Sequence, residues 1–245
     1  MVFDLDGTLA DTGADLLAAA NACFRAMGHG DLLRHPDDAL IAFHGGRAML
    51  KAGLARAGVE DEALVDAQFP RLLEAYAAAI DTHTVMYPGA VQALERLRAA
   101  GIAVTMLTNK PEGLAEALCA RLGIRHHFAA LVGADSLPVR KPEPAAYAAA
   151  VTRAGGTVGR SVIVGDTETD LKAGRAVGAP VILVAFGPEG PGIARLAPDA
   201  LLHHFDDLPA LVDRLLDGRA AGQASVTAVP EAETISIDSP DPTAP

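Results

Sequence analysis

The stretch Met-Val-Phe-Asp-Leu-Asp-Gly-Thr-Leu, residues 1–9, joins a short apolar run to two aspartates with one residue between them. Short apolar runs that end at glycine or turn residues are typical of buried parallel strands. Residues 1–5 therefore predict the first strand of a parallel sheet. Four further runs of this kind follow along the chain, at residues 102–107, 128–132, 161–164 and 181–186.

Helical patterns lie between and after these runs. Apolar residues recur three or four positions apart, and each pattern ends close to a glycine, which is the expected signal of a helix and its end. The predicted helices of this group lie at residues 91–100, 113–122, 144–154 and 208–216. The alternation of strand and helix favours an α/β fold with a doubly wound, Rossmann-like parallel sheet.

Residues 12–85 interrupt this alternation, because they contain helical patterns and no convincing strand. Thr12 and Asp15 form a candidate N-cap pair at the start of this helical block. Three helices are predicted within it, at residues 15–27, 47–57 and 62–80. The block therefore predicts an α-helical cap domain that is inserted after the first strand.

The predicted domain organisation has three parts. Residues 1–11 and 86–217 form an α/β core, and the cap domain, residues 12–85, is inserted between them. Residues 218–245 are rich in Pro, Ala, Ser, Thr and acidic side chains, and this composition predicts a disordered C-terminal tail. We expect a short first strand, unless the natural start of the protein lies upstream of Met1.

The composition narrows the class of partner. The 245 residues contain 20 Lys and Arg against 31 Asp and Glu, which gives a net charge of −11 at pH 7. An anionic surface argues against a nucleic-acid partner, since contacts to phosphates supply most of that affinity. No apolar run reaches the ~18 residues of a membrane span, and the first residues lack a secretory pattern. We expect a cytoplasmic monomer or homodimer that binds a small molecule, with no membrane partner.

Two aspartates at the end of the first strand form the first candidate site. Asp4 and Asp6 are separated by the period of a strand, so their carboxylates point the same way. Two such carboxylates repel each other unless a cation lies between them or one of them is protonated. Mg²⁺, a hard ion that prefers oxygen ligands, fits this pair. The alternative is an Asp-Gly turn that only closes the strand.

Acidic residues gather again after the fourth apolar run. Asp166 and Asp170 are four residues apart, and they share a face if the turn leads into a helix. The alternative is that Thr169 or Asp170 caps a helix at residues 171–177. In a parallel sheet the ligand site lies outside the carboxyl ends of the strands, so these acids should converge with those of the first strand.

Two of the four lysines lie beside strand-end or loop signals. Lys110 follows Thr108 and Asn109 directly after a predicted strand, and Lys141 precedes a proline. A threonine hydroxyl, backbone N–H groups at a helix start and a lysine ammonium together make a phosphate site. The alternative for Lys141 is a solvated turn.

Four segments together resemble, in order and spacing, the four motifs of the haloacid dehalogenase-like hydrolase superfamily. They are residues 3–9, Thr108-Asn109, Lys141-Pro142 and Gly165-Asp166-Thr167-Glu168-Thr169-Asp170. The resemblance covers about residues 1–217, and the helical block is similar to the small α-helical cap of that superfamily. Within the superfamily, the chain looks most like the phosphoglycolate phosphatases and their neighbours.

The resemblance implies a role for each motif residue. Asp4 matches the nucleophile that forms an aspartyl-phosphate, and Asp6 matches the acid and base that protonates the leaving alcohol and then activates water. The residues that match catalytic and phosphate-binding positions are Asp4, Asp6, Thr108, the Asn109 backbone and Lys141. The Mg²⁺ ligands implied in the same way are Asp4, Asp6 through its backbone carbonyl, and Asp166, with Asp170 as the second acid, which acts on Lys141 or on a water at the metal.

A Mg²⁺-dependent phosphatase of a small phosphomonoester, above all 2-phosphoglycolate, is the function that the resemblance implies. Asp6 argues against a dehalogenase, because the expulsion of halide needs no proton and the dehalogenases of the superfamily lack this acid. A pyrophosphatase, a sugar-phosphate phosphatase and a phosphoglucomutase-like phosphotransferase remain open. A non-catalytic module that binds a phosphorylated ligand is the more distant alternative.

Substrate choice is expected to depend on the helical cap. His44, Gly45, Gly46 and Arg47 form a polar, glycine-rich break in the helical block, and they resemble the corresponding segment of the phosphoglycolate phosphatases. His44, Gly45 and Arg47 are therefore candidate substrate-binding residues, and Arg47 could pair with a substrate carboxylate. The alternative is that the two glycines only join helices and that Arg47 is solvated.

Overall fold

The computed structural model describes residues 1–216, so the predicted tail at 218–245 lies outside the described residues. The strands in the described part are β1 (Val2–Phe3), β2 (Ala10–Asp11), β3 (Val85–Met86), β4 (Thr105–Leu107), β5 (Ala130–Val132), β6 (Ile163–Gly165), β7 (Val181–Val184) and β8 (Ala200–Leu202). Six of them form one sheet in the order β5-β4-β1-β6-β7-β8. Every pair of neighbours in this sheet is parallel.

Helices separate most of these strands. They are α1 (Gly13–Ala26), α2 (Ala39–Phe43), α3 (Gly46–Arg56), α4 (Glu62–Ala78), α5 (Ala90–Ala99), α6 (Glu112–Arg121), α7 (Pro144–Arg153), α8 (Glu168–Ala176) and α9 (208–216). The first four follow one another between β2 and β3 and form the helical block. Within residues 1–216, none of the helices has the length and apolar character that crossing a membrane requires.

Apolar side chains cover both faces of the sheet. Val2 of β1 lies in one buried cluster with Tyr147 of α7, and the next residue, Phe3, lies in another with Leu94 of α5. All four side chains are fully buried. Because successive residues of a strand point to opposite faces, this division places helices on both sides of the sheet. The predicted doubly wound α/β fold is confirmed.

A second, two-stranded sheet joins the two ends of the helical block. Strands β2 and β3 are antiparallel, with Ala10 opposite Met86 and Asp11 opposite Val85. No pattern in the sequence predicted this pair of strands, α2 or β8. Elements of two to five residues are too short to show a periodic pattern. The first strand is short, as expected, although β1 lies in the middle of the sheet.

Thr12 is the N-cap residue of α1, as predicted, but the expected capping pair with Asp15 does not form. Thr12 precedes α1, but its hydroxyl makes no cap hydrogen bond and donates instead to Oδ1 of Asp6 at 2.7 Å. The carboxylate of Asp15 accepts the backbone N–H groups of His83 and Thr84 at 3.0 and 2.8 Å. Both side chains therefore make hydrogen bonds to other segments of the chain instead of capping α1 together.

The alternative in which Thr169 or Asp170 is the N-cap of α8 is wrong in position, although Asp170 takes part in the cap. Thr167, rather than Thr169 or Asp170, is the N-cap, and its Oγ1 accepts the N–H of Asp170 at 3.4 Å. In return, Oδ2 of Asp170 accepts the N–H of Thr167 at 3.1 Å. This reciprocal pair is a capping box, and it starts the helix three residues earlier than predicted.

Helices α1 and α3 approach so closely at Gly53 that a side chain does not fit there. A Cβ at Gly53 would lie 2.1 Å from Cζ of Phe24, whose side chain is fully buried. Overpacking a tight core typically costs about 1–3 kcal/mol. Gly53→Ala should therefore lower the free energy of unfolding by about that amount in urea denaturation.

Gly113 in α6 provides the matched control, because a Cβ there would meet nothing within 4 Å. Gly113→Ala should be neutral or stabilising, since alanine favours the helix. Equal stabilities of Gly53→Ala and Gly113→Ala would contradict the close approach of α1 and α3.

Candidate active site

The carboxyl ends of β1, β4 and β6 meet at one edge of the sheet, where ligands bind in open parallel sheets. Asp4 and Asp6 follow β1, Thr108 follows β4 and Asp166 follows β6. A cavity of about 410 Å³ lies over these side chains. Residues of α1, α2, α3 and α4 line its opposite wall, so the site lies between the sheet edge and the helical block.

Two donors hold Asp4 at the floor of the cavity. Its Oδ1 accepts the N–H of Leu5 at 2.8 Å, and its Oδ2 lies 2.8 Å from Nζ of Lys141. Burial raises the pKa of Asp4 to about 6, and the nearby charge of Asp170 adds to the rise, although Lys141 opposes both. The sheet thus presents a fixed and poorly solvated carboxylate to the cavity.

Lys141 is buried between two carboxylates. Its side chain is 2% exposed, and its Nζ lies 2.7 Å from Oδ1 of Asp170 as well as 2.8 Å from Asp4. Burial alone would lower the pKa of Lys141, but Asp170 and Asp4 together raise it above the ordinary value. The ammonium therefore stays charged. The alternative of a solvated turn at Lys141 is wrong, because acids rather than water surround it.

Asp166 completes a group of three buried carboxylates. Its Oδ1 accepts the hydroxyl of Thr8 at 2.7 Å. One carboxylate oxygen from each of Asp4, Asp166 and Asp170 lies within 4.8 Å of the other two. Burial, followed by the charges of Asp170 and Asp4, raises the pKa of Asp166 well above its ordinary value.

The carboxylate group fits a divalent cation. Three acids against the single charge of Lys141 leave an excess of negative charge, which is unfavourable in a buried site unless another cation is present. Hard ions such as Mg²⁺ prefer carboxylate oxygens. Both oxygens of Asp170 already accept protein donors, Nζ of Lys141 at 2.7 Å and Oγ1 of Thr167 at 2.6 Å. Asp4 and Asp166 are therefore the better placed ligands, and Asp170 is placed to orient Lys141.

Gly7 makes room for Asp166. Its φ of +78° is a backbone conformation that favours glycine, and a Cβ there would lie 2.3 Å from Oδ2 of Asp166. The Asp-Gly turn that the sequence suggested as an alternative is present. The turn also leaves space for the carboxylate of Asp166, at the end of β6, to lie next to Asp4. A turn at Asp6-Gly7 and a site built from carboxylates are therefore compatible.

A second lysine holds Asp6. Oδ1 of Asp6 accepts the hydroxyl of Thr12 at 2.7 Å and lies 2.5 Å from Nζ of Lys110. The Lys110 side chain is 4% exposed, and its Nζ lies 4.6 Å from the ring centroid of Tyr76 in α4. The sequence placed Lys110 beside a strand end as a candidate for binding phosphate, but it did not indicate the contact with Asp6. The position of Lys110, two residues after Thr108, was the available signal.

Thr108 and Asn109 join the loops that carry the two lysines. Oγ1 of Thr108 accepts the N–H of Lys110 at 3.2 Å, and Nδ2 of Asn109 donates to the carbonyl of Lys141 at 3.1 Å. Both residues line the cavity. The structure therefore brings all four motif segments together around one cavity.

Only some of the candidate substrate-binding residues of the helical block lie at the cavity. His44 and Gly45 line the cavity, whereas Arg47 is not among the described residues that do. The half-exposed guanidinium of Arg47 pairs with Asp66 and lies 4.8 Å from the ring centroid of Phe69. Asp66 thus holds Arg47 outside the cavity, a contact between α3 and α4 that the sequence pattern did not indicate.

The wall opposite the carboxylates is largely apolar, which was not predictable from the sequence. Its apolar side chains include Leu16, Phe43, Phe69, Leu72 and Tyr76. Their helical spacing indicated only that one face of each helix is buried. Only the packing of the helical block over the sheet edge shows that part of this face lines the cavity.

Comparison with known proteins agrees with the motifs. The sequence profile of the haloacid dehalogenase-like hydrolases matches residues 1–178. A phosphoglycolate phosphatase of Mesorhizobium japonicum is 37% identical over 226 residues, which cover 91% of this chain and 97% of that protein. A phosphoglycolate phosphatase of Agrobacterium fabrum is 36% identical over 222 residues, with coverages of 90% and 95%.

A solved structure shows the same fold. It is described as a "predicted phosphoglycolate phosphatase" from Haemophilus somnus 129pt, and it has a TM-score of 0.75 to this chain at 25% identity. The match covers 86% of this chain and 96% of the other. The resemblance of the four motifs is therefore confirmed, and the chain belongs to the haloacid dehalogenase-like hydrolase family.

Proposed function

We propose that this phosphoric monoester hydrolase is Mg²⁺-dependent and acts on small phosphomonoesters, with 2-phosphoglycolate as its preferred substrate and an aspartyl-phosphate on Asp4 as intermediate. The observation that carries the proposal is the meeting of Asp4, Asp166 and Lys141 at the floor of one buried cavity. Two relatives that share more than a third of their residues with the chain carry the name phosphoglycolate phosphatase, which supports this substrate.

The carboxylate group supports the metal requirement. Asp4 and Asp166 would hold Mg²⁺, with the backbone carbonyl of Asp6 as a further ligand from this chain. When bound, the ion supplies positive charge that offsets the carboxylates and the phosphoryl group. Lys141 contributes a second positive charge on the same floor, in a buried place where it acts more strongly than in water.

The residues of the chain account for both halves of the reaction. In the first half, an oxygen of Asp4 attacks phosphorus, the bond from phosphorus to the alcohol oxygen breaks, and Asp6 gives a proton to that oxygen. In the second half, Asp6 takes a proton from water while the water oxygen attacks the phosphorus of the aspartyl-phosphate. Phosphate leaves, and Asp4 is a carboxylate again. Thr108 and Lys141 line the same cavity and can donate to phosphate oxygens.

A panel of phosphorylated metabolites tests the proposal, with kcat/KM measured for each in the presence of Mg²⁺. We expect 2-phosphoglycolate to exceed sugar phosphates and pyrophosphate by at least ~10-fold, a ratio that a few specific contacts supply. EDTA should abolish the activity, and added Mg²⁺ should restore it.

Each alternative predicts a different result in the same panel. A higher kcat/KM for pyrophosphate or for a hexose phosphate than for 2-phosphoglycolate would identify that compound as the preferred substrate. Transfer of phosphate between positions of a sugar, with no release to water, would identify a phosphotransferase. Binding of phosphorylated ligands with no turnover would identify a non-catalytic module.

A further inference from the structure

The second buried lysine of the cavity, Lys110, is engaged with Asp6. Its Nζ lies 2.5 Å from Oδ1 of Asp6, and its side chain is 4% exposed. The ring of Tyr76 covers the same ammonium, with its centroid 4.6 Å away, within the range of a cation–π contact. Tyr76 is 2% exposed and belongs to α4 in the helical block. A carboxylate and a ring from two separate parts of the chain therefore fix the position of this lysine.

The two donors on Asp6 share one oxygen. Nζ of Lys110 and Oγ1 of Thr12 both meet Oδ1. Among residues 1–216, no donor meets Oδ2, so this oxygen is the one left for proton transfer. A rotation that turned the plane of the carboxylate away from these two donors would break both contacts, whereas a half turn only exchanges two equivalent oxygens. The lysine thus selects the orientation of the Asp6 carboxylate.

We propose that Lys110 is a positioning residue for Asp6. It holds Oδ1 so that Oδ2 is the oxygen that gives its proton to the leaving alcohol, and Tyr76 keeps Lys110 in this place from the helical block. The inference rests on the proposed function, in which Asp6 is the acid. It makes the orientation of that acid depend on the packing of α4 over the sheet edge.

Esters with different leaving groups test this role. Proton donation matters most for a poor leaving group, such as the alkoxide of propyl phosphate, and little for p-nitrophenolate, which leaves without a proton. Since kcat/KM includes the steps up to the departure of the alcohol, it reports this proton transfer. Lys110→Met should lower kcat/KM for propyl phosphate by about 10²-fold or more, the scale of general acid catalysis. For p-nitrophenyl phosphate the expected loss is much smaller, so the ratio of the two values changes.

Two further variants complete the test. Lys51→Met makes the same replacement at an exposed lysine in α3 that pairs with Glu62, and it should leave the ratio unchanged. Tyr76→Leu removes the ring and should change the ratio in the same direction as Lys110→Met. If Tyr76 acts through Lys110, the variant with both substitutions should have the same ratio as Lys110→Met alone, because the effects of coupled residues do not add. Both kcat/KM values of a variant are measured on the same preparation, so their ratio does not depend on the fraction of folded enzyme.

The outcomes separate this inference from the proposed function. Equal losses of Lys110→Met on both esters would show a structural or phosphate-binding role and would overturn the positioning role. A loss confined to esters whose alcohol carries a carboxylate would also overturn it, in favour of substrate recognition by Lys110. The proposed role of Asp6 itself fails if Asp6→Asn leaves the ratio of the two esters at its wild-type value.

Discussion

Asp4→Asn should reduce the release of phosphate from 2-phosphoglycolate by at least ~10⁴-fold, as expected when an enzyme loses its nucleophile. Asparagine has the shape of aspartate, and its amide oxygen can still accept the N–H of Leu5. A neutral amide does not attack phosphorus, so the reaction stops before the aspartyl-phosphate forms. The measurement is phosphate release under saturating Mg²⁺. Wild-type turnover by this variant would refute the role of Asp4 as nucleophile.

The stability of the same variant provides its control. Because burial raises the pKa of Asp4 to about 6, the folded chain holds the ionised carboxylate less favourably than the unfolded chain does. In metal-free buffer at pH 7.5, the melting temperature of Asp4→Asn should therefore equal or exceed that of the wild type. The difference should shrink as the pH falls through 6 and vanish below the ordinary pKa of 3.8, where Asp4 is protonated in both states. A lower melting temperature at pH 7.5 would contradict this charge argument.

Lys141→Met should have the second largest effect. It removes the ammonium that lies 2.8 Å from Asp4 and 2.7 Å from Asp170, and it leaves buried carboxylates without a protein cation. We expect kcat/KM to fall by about 10²–10³-fold, as when one donor to a developing charge is removed. Loss of one partner from a buried ion pair costs about 3–5 kcal/mol, which urea denaturation at pH 7.5 should detect. The stability loss should be smaller at pH 5, where the carboxyl groups bind protons more readily.

Lys172 is the matched control for Lys141. Its Nζ lies 3.1 Å from Glu168, but both side chains are more than half exposed. Exposed ion pairs contribute about 0–1 kcal/mol, so Lys172→Met should change neither stability nor kcat/KM appreciably. Similar losses of stability in Lys141→Met and Lys172→Met would contradict the claim that burial strengthens the contribution of Lys141.

The local geometry of the site was only partly predictable. The spacing of Asp4 and Asp6 indicated a shared direction, yet the two carboxylates have different surroundings, since Asp4 meets Lys141 and Asp6 meets Lys110. Spacing along a strand reports the direction of a side chain and nothing about its partners. The same limit explains the error at Thr12, whose hydroxyl donates to Asp6 rather than to the helix that follows it.

The amino-acid sequence by itself determined the α/β fold, the helical character of the segment after the first strand and the motif residues at the strand ends. Each depends on patterns within about 20 residues, namely apolar runs, helical spacing and short motifs at strand ends. Only the tertiary structure decided that Lys110, 104 residues from Asp6, holds that carboxylate beneath Tyr76, and that Arg47 pairs with Asp66 outside the cavity. Such contacts depend on how separate elements pack. A long side chain can meet any of several partners until the packing of its surroundings selects one.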